Sequence, residues 1–202
     1  RYPLVTGVQT CALPIWWASL SRRARSSEMM KGFAMSDALS QAPAIVVRDS
    51  RADDVEAITS IYAHHVLHGT GSFEIEPPDA IEIARRRDEV LRNGFSHIVA
   101  ERGGEIAGFA YLNFFRLRPA YRFSAENSVY VRAGLQRGGV GRALMQELLA
   151  RAEARGIRQI IAVIGDSANT GSIGLHAACG FRFAGVLRAS GWKFEQIGRA
   201  HV

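Results

Sequence analysis

Residues 126–142 bring an acid, a glycine-rich turn and a helix start into one short stretch. Ser128 to Val131 alternates as a strand would, and Leu135 to Gly141 turns. Val140, Ala143, Leu144, Glu147 and Leu148 then recur at the spacing of a helix face. Glycines at such a turn let backbone amides approach an anion closely. The unpaired N–H groups of the first helical turn add hydrogen bonds and the positive end of the helix dipole. Phosphate binding is the chemistry this favours, although the same glycines would also serve a bare strand-to-helix turn. A magnesium-nucleotide loop needs Gly-Lys-Ser/Thr, whereas Gly141 is followed by Arg142 and Ala143. A dinucleotide turn would need its glycines near the start of a βαβ unit, in an order that these do not follow.

The flanking chain supplies the elements that must hold this stretch. Ile45 to Arg48 is a short β-rich run. Val55, Ile58, Ile61, Tyr62 and Val66 follow a helical period until Gly69 and Gly71 break it. After Pro77 and Pro78 a second helix runs from Ile81 to Leu91 and ends at Asn93 and Gly94. His97 to Ala100 and Glu105 to Phe114 read as a hairpin across Gly103 and Gly104. Past the helix from Val140 to Arg155, the apolar run Gln159 to Ile164 suits a strand buried on both faces. A short helix from Asn169 closes at Gly180, and Arg182 to Leu187 forms another strand. The order β-α-α-β-β-β-α-β-α-β predicts an α+β fold with a mixed, mostly antiparallel central sheet flanked by helices.

Gln136, Gly139 and Gly141 after a strand that begins with an acid resemble the acetyl-CoA-binding motif of the GNAT superfamily of N-acetyltransferases. The resemblance extends over residues 45–194. Thr70 to Glu74, Arg118 to Arg122, Glu126 to Val131 and Leu187 to Phe194 are similar to its phosphinothricin and methionine-sulfoximine acetyltransferase branch. It implies acetyl transfer from acetyl-CoA to the amino group of a small amino-acid-like substrate, in a cytoplasmic homodimer, with no metal, nucleic acid or membrane. A protonated amine cannot attack a thioester, and a carboxylate in a partly dry cleft is suited to removing the proton. Glu126 is the candidate base; the alternative is a strand-start glutamate facing solvent. A backbone N–H near Val131 would serve the oxyanion.

His176 stands where many relatives carry an acidic tyrosine and is the candidate acid for the leaving thiolate; a hydrogen-bonded core histidine is the alternative. The implied acetyl-CoA contacts are Val129, Tyr130, Val131, Gln136, Arg137, Gly138, Gly139, Val140, Gly141 and Arg142. Asn169 would join them on the pantetheine arm, unless it is a plain N-cap. Arg118 and Arg122, flanking Tyr121, suit a substrate carboxylate or merely a soluble loop. Phe73 would pack on the substrate's aliphatic chain or in the core. The remaining rivals are a non-catalytic acyl-CoA-binding module and acetylation of another small amine or of a protein N-terminus.

Composition narrows the classes further. Hydrophobic residues at 48% and charged residues at 22% suit a globular domain. The net charge of +6 hints at nucleic acid, but residues 1–34 carry five cations against Glu28, and residues 195–202 balance, so only about +2 remains on the rest. Apart from Cys11 the only thiol is Cys179, so neither a disulfide framework nor a cysteine metal site is available. Cys179, within a short helix, is disfavoured as an acyl carrier. His64, His65 and His68 lack a ligand spacing and read as helix surface.

Both ends look foreign. Thr10 to Ile15 and Ile197 to Val202 can be encoded by strings that are reverse complements offset by one base, resembling sequencing-adapter DNA translated from opposite strands. The expected organisation is therefore a non-native or disordered leader over 1–34, with Met35 as the start, and a domain over 35–194. A foreign tail over 195–202 would stand in place of the final strand and leave a bare sheet edge.

Overall fold

The computed structural model describes residues 14–19, 43–165, 168–187, 191–194 and 196–197. In chain order these form β1 (Pro14–Ser19), β2 (Ile45–Asp49), α1 (Val55–His68), α2 (Ala80–Arg92), β3 (His97–Arg102), β4 (Glu105–Phe114) and β5 (Ser124–Val131). There follow α3 (Val140–Ala154), β6 (Gln159–Val163), α4 (Thr170–Ala178), β7 (Arg182–Val186), β8 (Trp192–Lys193) and β9 (Gln196–Ile197). No described helix is long and apolar enough to cross a membrane.

Helix ends follow local chemistry. The Asp79 side chain accepts from the Glu82 N–H at 2.8 Å and starts α2. α2, α3 and α4 stop alike. Phe95 N–H bonds back to Val90 O, Ile157 N–H to Ala152 O and Phe181 N–H to His176 O, each at 3.0 Å. In each case a glycine reverses the chain and the apolar residue after it is buried.

Seven strands make the main sheet in the order β2-β3-β4-β5-β6-β1-β7. β2 to β5 are antiparallel neighbours, whereas β5 and β6 run parallel, with α3 as the crossover between them. One face packs against α3, where Leu144, Met145 and Leu148 meet Ala110, Leu112 and Ala125. The other packs against α1 and α2 through Ile58, Ile61, Val66, Val99 and Phe109. A register shift at Ala100/Glu101 lets Ile106 and Phe109 face the same side despite their odd spacing.

The far half of the sheet departs from expectation. Sequence reasoning kept residues 1–34 outside the fold, yet Pro14–Ser19 lies between β6 and β7, antiparallel to both. Without a strand there, the facing backbone groups of β6 and β7 would lack partners, and any extended segment of adequate length satisfies them. Gln196–Ile197, in the tail expected to stand in place of the final strand, pairs with Trp192–Lys193 in a separate two-stranded hairpin.

Candidate active site

β5 and β6 pair only through Ser124, Ala125 and Glu126. Beyond Glu126 the strands separate. Residues 127–131 of β5 keep their ladder to β4, but their other edge opens onto a cleft of about 770 Å³, walled across from them by Ala162, Val163 and Ile164. That size suits a small-molecule site. A splayed parallel pair exposes one row of backbone donors and acceptors, which an extended amide-bearing chain can complete as an added strand.

The glycine turn closes one end. Arg137, with φ 61°, and Gly139, with φ 87°, both adopt left-handed backbone, and Gly139 is the N-cap of α3 without a side-chain cap. The first-turn N–H groups are therefore left for a ligand, and Gln136, Arg137, Gly139, Gly141 and Arg142 all line the cleft. The Gln136 side chain spends its oxygen on the Gly134 N–H at 2.8 Å, which holds the turn. Gly138 lies outside the lining and packs near Arg102. The Val140 side chain is buried in the core, so only its backbone could serve an anion.

Glu126 stands inside the cleft, in register with Asn113 of β4 and Ile161 of β6. Burial pushes its carboxyl pKa above 4.5, and nearby Arg116 opposes this more weakly. Among the described residues no side chain donates a hydrogen bond to it, so little offsets the desolvation. Such a carboxylate is a stronger base than one in water. Arg116, not singled out from sequence, is thus the loop arginine that acts on the acid.

Beyond Glu126, alternate residues turn to opposite faces. Ser128 and Tyr130 share the α1 face with Tyr111 and Phe109, and the Tyr130 ring stacks on Phe109 with centroids 5.0 Å apart. Burial raises the Tyr130 hydroxyl pKa well above 10, so it stays protonated. Tyr130 also touches His65, at 5.4 Å between ring centroids. The reading of the α1 histidines as surface holds for His64 and His68 but fails at His65. His65 faces inward three residues after Tyr62, lines the cleft, and donates from Nε2 to the Val131 carbonyl at 2.9 Å. Helical spacing from Ile58, Ile61 and Tyr62 was the signal that could have found it.

His176 also reaches the cleft wall, but its ring is committed. Nδ1–H donates to the Ser172 carbonyl at 2.8 Å, so Nε2 carries the lone pair and accepts from the Asn127 amide at 3.0 Å. Burial lowers its pKa, with the Ser172 contact opposing. A neutral imidazole in this tautomer has no proton free for a thiolate. Of the two sequence readings, the geometry favours the hydrogen-bonded histidine over the acid. Its partner Asn127 went unnoticed in the sequence, although a polar residue on the α3 face between Ala125 and Val129 breaks the alternation. Among the described residues, none offers Asn127 Oδ1, which is buried, a hydrogen bond.

Asn169 caps α4, its side chain accepting from the Ser172 N–H at 3.1 Å, and lines the cleft as well. Phe73 and Gly71 form part of the wall. Arg118, Tyr121 and Arg122 do not: they sit on an exposed 3-10 turn outside the lining, where Arg122 donates to the Pro119 carbonyl at 3.3 Å and lies over Phe123. Cys179 also lies outside the lining, and burial raises its thiol pKa, which disfavours a thiolate nucleophile. Among the described residues no three histidine, cysteine or acidic side chains converge as metal ligands would.

Residues 58–181 match the profile of the Acetyltransferase (GNAT) family. The chain is 53% identical over 151 residues to a phosphinothricin N-acetyltransferase of Alcaligenes faecalis, covering 75% of this chain and 77% of that protein. It is 34% identical over 149 residues to an L-methionine sulfoximine/L-methionine sulfone acetyltransferase of Pseudomonas aeruginosa, with 73% and 86% covered. Among solved structures, a GNAT superfamily phosphinothricin acetyltransferase from Sinorhizobium meliloti in complex with AcCoA aligns with a TM-score of 0.73. Identity there is 41%, covering 76% of this chain and 83% of that one. With the family profile spanning more than half of its length and relatives this similar, the chain belongs to the GNAT family of acetyltransferases.

Proposed function

We propose that this acetyltransferase moves an acetyl group from acetyl-CoA directly to the α-amino group of a small amino-acid-like substrate such as phosphinothricin or methionine sulfoximine, with Glu126 as base. The observation that carries the reading is Glu126 itself: a desolvated carboxylate inside a cleft that an open strand edge and an uncapped helix N-terminus also border. Relatives named for those two substrates support the acceptor class.

Acetyl-CoA supplies the acetyl group, and the chain offers fitting residues for it. First-turn amides of α3, with Arg137 and Arg142, suit the diphosphate, and the free edge of residues 127–131 suits the amides of the pantetheine arm. Glu126 takes the proton from the ammonium of the acceptor, directly or through a water, and the freed amine attacks the acyl carbon. Negative charge growing on the acyl oxygen falls to a backbone N–H near Val131. The thiolate takes its proton from solvent or from the Glu126 carboxyl, since His176 has none to give.

Thiol release from acetyl-CoA in the presence of phosphinothricin tests the reading. Turnover that needs the amine and collapses in Glu126→Gln supports it; acetyl-CoA binding without turnover, indifferent to that substitution, identifies a binding module instead. A cytoplasmic homodimer remains part of the proposal on family resemblance, and light scattering of the purified protein checks the dimer.

A further inference from the structure

Lys193 takes no part in the chemistry above, yet it is only 5% exposed on a strand of two residues. Its ammonium donates to the Gly69 carbonyl at 2.9 Å and to the Ser72 carbonyl at 2.7 Å. Both acceptors belong to the stretch between α1 and α2, which has neither helix nor strand and which brings Gly71 and Phe73 into the cleft wall. Carbonyls buried outside a ladder need donors, and here one cation serves two of them.

The same stretch is gripped from other sides. A Cβ on Gly165, just past β6, would stand 2.1 Å from the Thr70 carbonyl oxygen, so only glycine allows that approach. A Cβ on Gly191 would meet the Phe73 ring at 2.5 Å. From α1, the Tyr62 hydroxyl lies 3.0 Å from Ser72 Oγ, which also accepts from the Glu74 N–H at 3.2 Å. The β8 segment thus holds the loop by its backbone through Lys193 and by its aromatic side chain through Gly191.

We propose that Lys193 is a positioning residue for the acyl acceptor: it clamps residues 69–74 so that Phe73 keeps its place in the cleft wall, while the acetyl-CoA end of the site does not depend on it. The assignment rests on the acceptor reading given above, with Phe73 on the amine's side of the cleft. The two carbonyls that Lys193 meets belong to residues 69–72, not to the turn of residues 136–142 at the phosphate end.

The test compares the full chain with Lys193→Met, which keeps the length of the side chain and removes its donors. Hydrogen–deuterium exchange reports the loop without any turnover, and steady-state kinetics separates the two substrates. The expected result is faster exchange confined to residues 69–74 and a rise of about tenfold or more in KM for phosphinothricin. The Kd for acetyl-CoA should stay within about twofold of the parent. Unchanged exchange at 69–74, or acetyl-CoA affinity falling in step with the amine, overturns the proposal. Gly191→Ala should reproduce the KM split by displacing Phe73, and decides the matter if Lys193→Met does not fold. Should the parent protein acetylate no amino-acid amine, the acceptor reading fails, and the exchange measurement still decides whether the clamp exists.

Discussion

Glu126→Gln separates a catalytic acid from a structural one, because the two roles push stability and rate in opposite directions. Burial raises the pKa of this carboxyl in the folded protein above its value in the unfolded chain. A raised acid binds its proton more tightly when folded, so it imposes no penalty below the unfolded pKa. It costs stability as pH rises through the folded pKa and the buried group ionises. Glutamine keeps the shape and removes that charge. The variant should therefore match the parent in Tm near pH 4 and equal or exceed it at pH 8. Rate should move the other way: a positioned general base is worth about 10²–10⁴-fold, or roughly 2.7–5.5 kcal/mol of barrier, and kcat should fall by that factor. The acidic limb of the parent's kcat–pH profile, displaced upward from the ordinary glutamate range, should vanish with it. Thiol release followed by a chromogenic disulfide, beside thermal melts at both pH values, measures all of this. A variant with parental kcat and an unchanged acidic limb would refute the base assignment, whatever its Tm.

Three further outcomes follow from the packing. His176→Leu removes the ring that bonds the Asn127 amide and the Ser172 carbonyl and should cost about 1–3 kcal/mol in urea melts. It should not erase a limb from the alkaline side of the kcat profile, as loss of a general acid would. His97, whose ring neighbours those of both Phe109 and Tyr111, has its pKa lowered to about 4, mainly by burial. Its stabilising effect is present above 6.5 and is lost as pH falls towards 4, so His97→Phe should flatten the acid-side decline in Tm over that window. Deleting residues 1–34 removes β1 and bares the edges of β6 and β7. A fall in Tm of at least about 5 °C is expected, at about 2–4 °C per kcal/mol for a chain of this size; an unchanged melt would show that those edges need no partner from this segment.

Much of the architecture was legible from local patterns. The helices over Val55–His68, Ala80–Arg92 and Val140–Ala154 lie where apolar residues recur at helical spacing, and their stops fall at glycines. The hairpin turns at Gly103 and Gly104, where both glycines take positive φ. Around the cleft, the glycine turn and Glu126 stood out in the sequence because their signal is residue type within a few positions of one another. Arg118, Tyr121 and Arg122 were offered to the substrate on family resemblance and on the fit of a guanidinium to a carboxylate, with a soluble loop as the alternative, and here they lie on an exposed turn outside the cleft lining.

What the amino-acid order settled by itself is periodic or short-range: element type, a glycine turn that opens a helix, and an acid at the head of the strand that feeds it. Backbone propensity and hydrogen bonding within a few residues are enough for those. Tertiary structure alone decided what depends on groups far apart in the chain. The splay between β5 and β6 opens the cleft, and the His65 ring is set on the Val131 carbonyl across 66 positions. The contact with Asn127, 49 positions away, takes the lone pair of His176. The donors of Lys193 reach back 124 positions to Gly69. The chemistry of each of these groups is set by the atom it meets, and that atom is supplied by the packing of separate elements, which no window of sequence contains.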